Sequence, residues 1–387
     1  MRTASVAVVG AGVIGASVAY HLAARGLTDM LLLDRAARPG TGSTGFATGG
    51  FRIQFDSPVN VNLSVLAREK LLAFEEETGV DPLYRPVGYL WLAQNDAEMD
   101  ALRHARDVEH AHGPGQVVEL EVNEALRRNP ALDPAHLSGA TFCRQAGFLD
   151  PRRMLDGYLA AAGRRDVHLE SDTLVTGFTR DGTGRIRTLR TQREEIAVER
   201  VVNAAGAWAS EIAALAGVEL PVVPVRRQVA VTRPFEGLPP DMPMTLFVGD
   251  GFHLRVRDGR VLLLKPSPGV PGRPFDTSVE RDWVTSVFEL ACRRIPALRA
   301  AVIDEAACYA GLYEMSPDKH ALLGAAPGCA NLYLANGSSG HGVMHSPALG
   351  HLLAEILLDG RASTLNVEAL RPGRFAEGAP NPSDGLL

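Results

Sequence analysis

The chain of 387 residues is short of several things, and each shortage closes off a class of function. It has four cysteines, Cys143, Cys292, Cys308 and Cys329, widely spaced and with no Cys-x-x-Cys pair. That spacing gives neither a disulfide framework nor a thiolate metal site, so the thiols read as small core residues and no metal is expected. A surplus of one charge is lacking too: 39 Lys and Arg stand against 45 Asp and Glu, a formal net charge of −6, with no basic stripe interleaved with aromatics. No nucleic-acid partner is expected. No apolar run approaches the roughly 18 residues of a spanning helix, and the first one meets a glycine turn too early for a secretory signal. The expectation is a soluble, cytoplasmic protein. Internal repeats and low-complexity tracts are also missing, and the length suits about two domains.

What is present begins at Val6. The apolar run Val6-Ala7-Val8-Val9 leads into Gly10-Ala11-Gly12-Val13-Ile14-Gly15, then good helix formers from Ala16 to Ala24, then a second apolar run, Met30 to Leu33, ending on Asp34. Strand, glycine turn, helix, strand and terminal acid together form the dinucleotide-binding fingerprint. Gly10 permits the turn, Gly12 lets a pyrophosphate approach the backbone, and Gly15 lets the helix lie close to the strand. Asp34 suits ribose hydroxyls.

Further along, the small-residue loop Gly40 to Arg52 reads as chain lying against a flat or charged ligand. A helix is expected from Asn60 to Thr78, stopped by Gly79, and a strand at Tyr89 to Leu92 before a helix from Asp96 to His110. After Phe148-Leu149-Asp150-Pro151 comes a helix to about Gly163, then short strands, then Val201 to Trp208, a second buried strand running into a small-residue turn. Residues 222 to 265 are strand-rich, with Asp258-Gly259 marking a hairpin. The last unit is the strand Asn331 to Ala335, the loop Asn336-Gly337-Ser338-Ser339-Gly340-His341-Gly342, and a helix from about Val343 to Leu358 with Pro347 in its first turn. Three strand–glycine turn–helix units separated by two blocks of other character imply an α/β (α+β) fold. A discontinuous Rossmann-like nucleotide domain (1–80, 148–215 and 310–371) carries an inserted mixed or antiparallel sheet domain (81–147 and 216–309). The tail, 372–387, rich in Pro, Gly and Asn, is expected to be poorly ordered.

Four blocks, GAGVIG with Asp34, GSTGFATGGFRIQF, VVNAAGAW, and GLYEMSPD followed by LYLANGSSGHGVMHSPALG, resemble the flavin-dependent D-amino acid oxidase superfamily, particularly its sarcosine oxidase and proline dehydrogenase β-subunit branch. The resemblance implies FAD in the first domain and substrate between the flavin ring and the inserted sheet. Gly10, Gly12, Gly15 and Asp34 would hold the adenosine half, Ser43 and Thr44 the pyrophosphate and ribityl, and Val175, in a strand from Thr173 to Val175, the adenine. Arg52 would lie against the ring, and Gly337 to Met344, including Gly340, His341, Gly342 and Val343, would line its pyrimidine side. Further cofactor contacts are implied for Ala11, Val13, Ile14, Arg35, Gly42, Gly49, Gly50, Phe51, Ala205, Gly206, Trp208 and Gly311. A helix starting near Val343 would stabilise negative charge on the ring through its N-terminal N–H groups.

The chain departs from relatives at four places. Gly311 stands where monomeric sarcosine oxidases carry a flavin-linked cysteine, and Cys308 is three residues away. No histidine lies at Phe148 to Arg153, so FAD is expected to be bound non-covalently. The arginine that glycine and D-amino acid oxidases use for the substrate carboxylate is missing before Pro317, and Met344 replaces the lysine after Gly-His-Gly. Arg52, Lys265, His253 and Tyr313 are the candidate catalytic residues. Lys265 falls where monomeric sarcosine oxidases place their oxygen-activating lysine, which favours oxygen as acceptor.

The expected reaction is oxidation of a C–N bond in a small amine or amino acid to an imine, with oxygen or an electron-transfer acceptor reoxidising the flavin. The alternatives are an FAD-dependent 2-hydroxy acid or polyol dehydrogenase, and a flavin-binding partner subunit without turnover of its own. An NAD-dependent dehydrogenase would leave the Gly-Ser-Ser-Gly-His-Gly loop without purpose.

Overall fold

Val6 to Val9 shows no polar alternation, the pattern of a strand covered on both faces. In the computed structural model, which describes residues 1–267, 272–382 and 385–386, this strand lies inside such a sheet. Arg2–Val9 pairs in parallel with Met30–Leu33 on one side and Glu195–Asn203 on the other. His168–Glu170 and Cys329–Asn336 continue the parallel set outward. Leu322–Ala326, Ile186–Thr191 and Val175–Arg180 add antiparallel strands. The strand expected over Thr173 to Val175 begins at Val175 instead, so that residue opens the strand rather than closing it.

The helix Val13–Ala24 is buried from Val13 to Ala23. Its small residues let it pack closely beside Gly342–Asp359. A Cβ on Gly350 would come within 2.2 Å of the Ser17 Oγ, and the Ser17 hydroxyl donates to the Ser346 carbonyl at 2.8 Å. Ile14 lies against Gly342 at one end, and Arg25 meets Asp359 at 2.9 Å at the other. The two helices therefore run parallel. Pro347 lies inside the second of them rather than in its first turn, because the helix begins at Gly342. The Val343 carbonyl, which Pro347 cannot serve, takes the Ser346 hydroxyl at 2.9 Å instead.

The second sheet runs Tyr309–Met315, Val223–Val231, Arg260–Leu264, His253–Arg257, Met244–Phe247, Tyr89–Ala93, Gly139–Cys143, Val117–Leu120. It is antiparallel except where Met244–Phe247 meets Tyr89–Ala93. Asp258 and Gly259 have φ of 53° and 70°, the left-handed pair that a tight two-residue hairpin requires. Helix Arg281–Arg294 covers one face with Val284, Val287 and Ala291. Strand Tyr309–Met315, which sequence alone groups with the nucleotide segments from 310 onward, pairs here with Val223–Val231.

The expectation of a poorly ordered tail does not hold over its described residues. Arg374 is fully buried and grips Asp318 with two bonds, Nε to Oδ2 at 2.8 Å and Nη2 to Oδ1 at 2.9 Å. Asn381 donates its backbone N–H to the same carboxylate at 3.1 Å. Proline and glycine composition signals loops, but a buried ion pair fixes this one. Residues 383, 384 and 387 lie outside the described residues. Breaking such a pair strands a buried carboxylate, so Arg374→Met is expected to lower stability by about 3 to 5 kcal/mol in urea unfolding. A change within about 0.5 kcal/mol, ordinary for surface substitutions, would contradict the clamp.

Candidate active site

A cavity of about 840 Å³ opens between the two sheets, lined by residues of both. Val13 and Gly342, the first residues of the two parallel helices, both border it. Each helix start leaves backbone N–H groups without intrahelical partners and a positive dipole end, so the cavity wall between them favours negative charge.

The glycine turn shows why its residue types are needed. Gly10 has φ of 104°, and a Cβ there would strike the Ala204 carbonyl at 2.4 Å. A Cβ on Gly15 would come within 1.8 Å of the Gly10 carbonyl, which makes Gly15 the contact between helix and strand and keeps it off the cavity wall. Gly12, Val13, Ile14, Asp34 and Arg35 do line the cavity. Asp34 accepts from the N–H of Ala11 and of Ala36, each at 2.8 Å and each on a different oxygen, so both oxygens keep acceptor capacity. Ala11 supports the turn from within. Arg35 stacks on Trp208 at 3.7 Å, and Trp208 stacks in turn on Phe275 at 5.4 Å. Trp208, Val175, Ala205 and Gly206 share this part of the wall.

The small-residue loop is packed, not slack. Thr44 Oγ1 accepts the Val13 N–H at 3.1 Å, and the Ser43 hydroxyl donates to the Leu312 carbonyl at 2.6 Å, so the loop ties the first helix to the second sheet. A Cβ on Gly49 would meet the Leu149 carbonyl at 2.2 Å, and one on Gly50 the Tyr89 hydroxyl at 1.9 Å. Gly42, Ser43, Thr44, Gly49 and Gly50 line the cavity. Phe51 does not, being fully buried with its ring edge-on to Tyr84 at 5.5 Å. Gly337 is likewise set back, against Leu322 and Ser316, while Gly340, His341, Gly342, Val343 and Met344 reach the wall.

The structure brings Arg52, His253, Tyr313 and Lys265 to the same cavity, with different surroundings. Arg52 is 4% exposed and donates to the Gln54 carbonyl at 3.2 Å, to His341 Nε2 at 2.9 Å and to the Leu386 carbonyl at 2.7 Å. Accepting that bond requires a lone pair on His341, and burial, reinforced by Arg52, holds the ring well below the usual histidine range. His253 is brought down to about 4, chiefly by burial and then by Arg52 and Arg227. With Nδ1 donating to the Gly251 carbonyl at 2.8 Å, its Nε2 keeps a lone pair. Burial pushes the Tyr313 phenol up, so it stays protonated. Gly340, with φ of 96°, fits against this ring, where a Cβ would come within 2.4 Å.

Lys265 is not the lone buried cation that the run Val261 to Leu264 suggests. The strand ends at Leu264, and Lys265 Nζ lies 3.4 Å from Asp250, which also holds Arg294 at 2.8 Å. Oxygen as acceptor therefore loses the unpaired charge on which it was based. Gly311 lines the cavity, and no cysteine does so among the described residues.

Tyr89, Arg227 and Glu314 are among the cavity residues that the sequence did not single out. Tyr89 faces Gly50, Arg227 lies 5.3 Å over the Tyr313 ring, and Glu314 accepts the Ser338 N–H at 3.4 Å. The available signals were the adjacent Arg226-Arg227 pair and a glutamate inside an alternating strand. Burial pushes Glu314 up to about 7. A value raised above that of the unfolded chain favours folding at low pH, and the advantage is lost as pH rises through about 7. Glu314→Gln is therefore expected to gain about 2 to 3 kcal/mol on the wild type between about pH 5 and pH 8. Parallel stability curves for the two proteins would show that the carboxyl is solvated.

Residues 5–356 match the family described as FAD dependent oxidoreductase. The chain is 28% identical over 415 residues to FAD-dependent oxidoreductase domain-containing protein 1 of Xenopus laevis, covering 96% of this chain and 82% of that protein. It is 28% identical over 378 residues to mitochondrial sarcosine dehydrogenase of Homo sapiens, covering 93% of this chain but 40% of that longer protein. Its fold is similar to that of L-proline dehydrogenase from P. horikoshii, with a TM-score of 0.90, 27% identity, and 98% of this chain and 100% of the other covered. The family match runs through both sheets and both helix starts, and the chain belongs to the FAD-dependent oxidoreductases.

Proposed function

We propose that this enzyme oxidises the C–N bond of a small amino acid or secondary amine to an imine, which water hydrolyses, with oxygen or another acceptor taking the electrons. The observation that carries the reading is one cavity bordered by two helix starts and by the polar groups of His253, Tyr313 and Arg227. Two of the similar proteins are named for secondary amino acids, sarcosine and L-proline.

The residues present fit FAD. Gly10 and Gly12 line the cavity beside the N-terminus of helix Val13–Ala24, and Asp34 retains acceptor capacity at its edge. The turn from Gly10 to Gly15 with Asp34 and Arg35 would hold the adenosine half, beside Val175, Ala205, Gly206 and Trp208. Gly42, Ser43, Thr44, Gly49 and Gly50 would follow the pyrophosphate and ribityl, and Gly340 to Met344 would border the ring. In this reading 1–80, 148–215 and 310–371 serve the cofactor, except that strand Tyr309–Met315, with Tyr313, joins 81–147 and 216–309 on the substrate side. When bound, FAD supplies the acceptor for a hydride leaving the carbon beside nitrogen.

The protein's own part is orientation and charge. Neutral His253 offers Nε2 as a hydrogen-bond acceptor to the substrate nitrogen, and protonated Tyr313 offers a donor beside it. Arg52 fixes His341 and with it the loop that leads into helix Gly342–Asp359. Tyr89, Met244 and Leu246 give the cavity a buried, largely apolar wall on the side of the second sheet.

Two measurements test this reading. Acid precipitation is expected to leave a colourless pellet and a yellow supernatant, since Gly311 and the described cysteines offer no thiol to the cavity; a yellow pellet would contradict non-covalent binding. In anaerobic titration, N-methyl amino acids and amino acids are expected to bleach the flavin and 2-hydroxy acids to leave it coloured. Bleaching by hydroxy acids alone would replace the proposed reaction.

A further inference from the structure

Arg226 and Arg227 are neighbours on strand Val223–Val231, and strand alternation sends their side chains to opposite faces. Arg226 is closed off, donating to the Ser278 carbonyl at 3.0 Å and to Glu280 at 2.5 Å. Arg227 lines the cavity, opposite Gly311 in the register, with its guanidinium 5.3 Å over the Tyr313 ring. Its Nη1 donates to the carbonyls of Arg226 at 3.1 Å and Ser267 at 3.0 Å. Nε and Nη2 have no hydrogen-bond partner among the described residues, and no described carboxylate pairs with the group.

Three other cations of the cavity are engaged. Arg52 is braced by His341 and two carbonyls, Lys265 pairs with Asp250, and Arg35 lies on Trp208. Burial opposes the charge on Arg227, drawing its proton affinity down. A half-buried guanidinium without a counter-charge is costly unless an anion arrives from outside, and its planar fork suits a carboxylate.

We propose that Arg227 receives the carboxylate of the substrate, which makes the substrate class small amines that carry a carboxylate close to the nitrogen. This rests on the amine-oxidising reading above. It places the carboxylate at the Nε and Nη2 edge of Arg227, on the cavity that His253 also lines, so one cation and one lone pair would fix both ends of an amino acid.

The test compares wild type, Arg227→Met and Arg227→Lys. Calorimetric dissociation constants are measured for benzoate and acetate as simple carboxylates, and anaerobic flavin reduction is followed with N-methylglycine and N-methylglycinamide. Arg227→Met is expected to weaken carboxylate binding about 10- to 100-fold, the worth of a charge-assisted hydrogen bond. Its FAD content should stay normal, and Arg227→Lys should recover part of the loss. Wild type is expected to prefer the carboxylate to the amide, and Arg227→Met to lose that preference. Equal use of carboxylate and amide by the wild type, or carboxylate binding unchanged in Arg227→Met, would overturn the assignment even if the methionine variant folds poorly. A wild type that binds benzoate through Arg227 yet is reduced by no amine would instead defeat the reading of the reaction.

Discussion

The close approach of helices Val13–Ala24 and Gly342–Asp359 is the contact on which the site depends. Glycine at 350 lets the axes come together at Ser17, where any side chain would collide with its hydroxyl at 2.2 Å. Held parallel by that contact and by the Arg25–Asp359 pair, the two helices bring both N-termini to one cavity although more than three hundred residues separate them. Their dipoles add there. Pushing the helices apart would separate the dinucleotide turn from the Gly340 to Met344 loop, and neither alone makes a site for a large anionic cofactor.

Around that frame the protein spends little net charge on its histidines. His253, His341 and His345 are all kept neutral, mainly by burial, while the guanidinium groups keep their charge. Positive charge in the cavity thus comes from arginine and lysine, not from histidine, and the imidazoles act as acceptors. This division suits the proposed reaction, in which the substrate nitrogen would be oriented and a charged carboxylate held at the same time.

Much of this was legible in the sequence because its signals are local. The turn at Gly10, its closing acid Asp34, the Asp258-Gly259 hairpin and the start of the last helix rest on neighbouring residues and on backbone demands that few residue types meet. What escaped depended on partners distant in sequence or on facing. Lys265 finds Asp250 across a hairpin and Arg374 finds Asp318 in the loop before strand Leu322–Ala326, so neither the paired lysine nor the anchored tail shows in composition. Alternation says that Arg226 and Arg227 point opposite ways, but only the packing of Glu280 against the first shows which one faces the cavity. Glu314 is hidden for the same reason.

The most direct test is where the flavin lies in a crystal structure of the purified protein. The account predicts the adenine beside Val175, the pyrophosphate over Gly12 and Thr44, and the ring between the Gly340 to Met344 loop and the face presenting Tyr313, His253 and Arg227. Flavin density elsewhere, or a ring turned away from the second sheet, would contradict it.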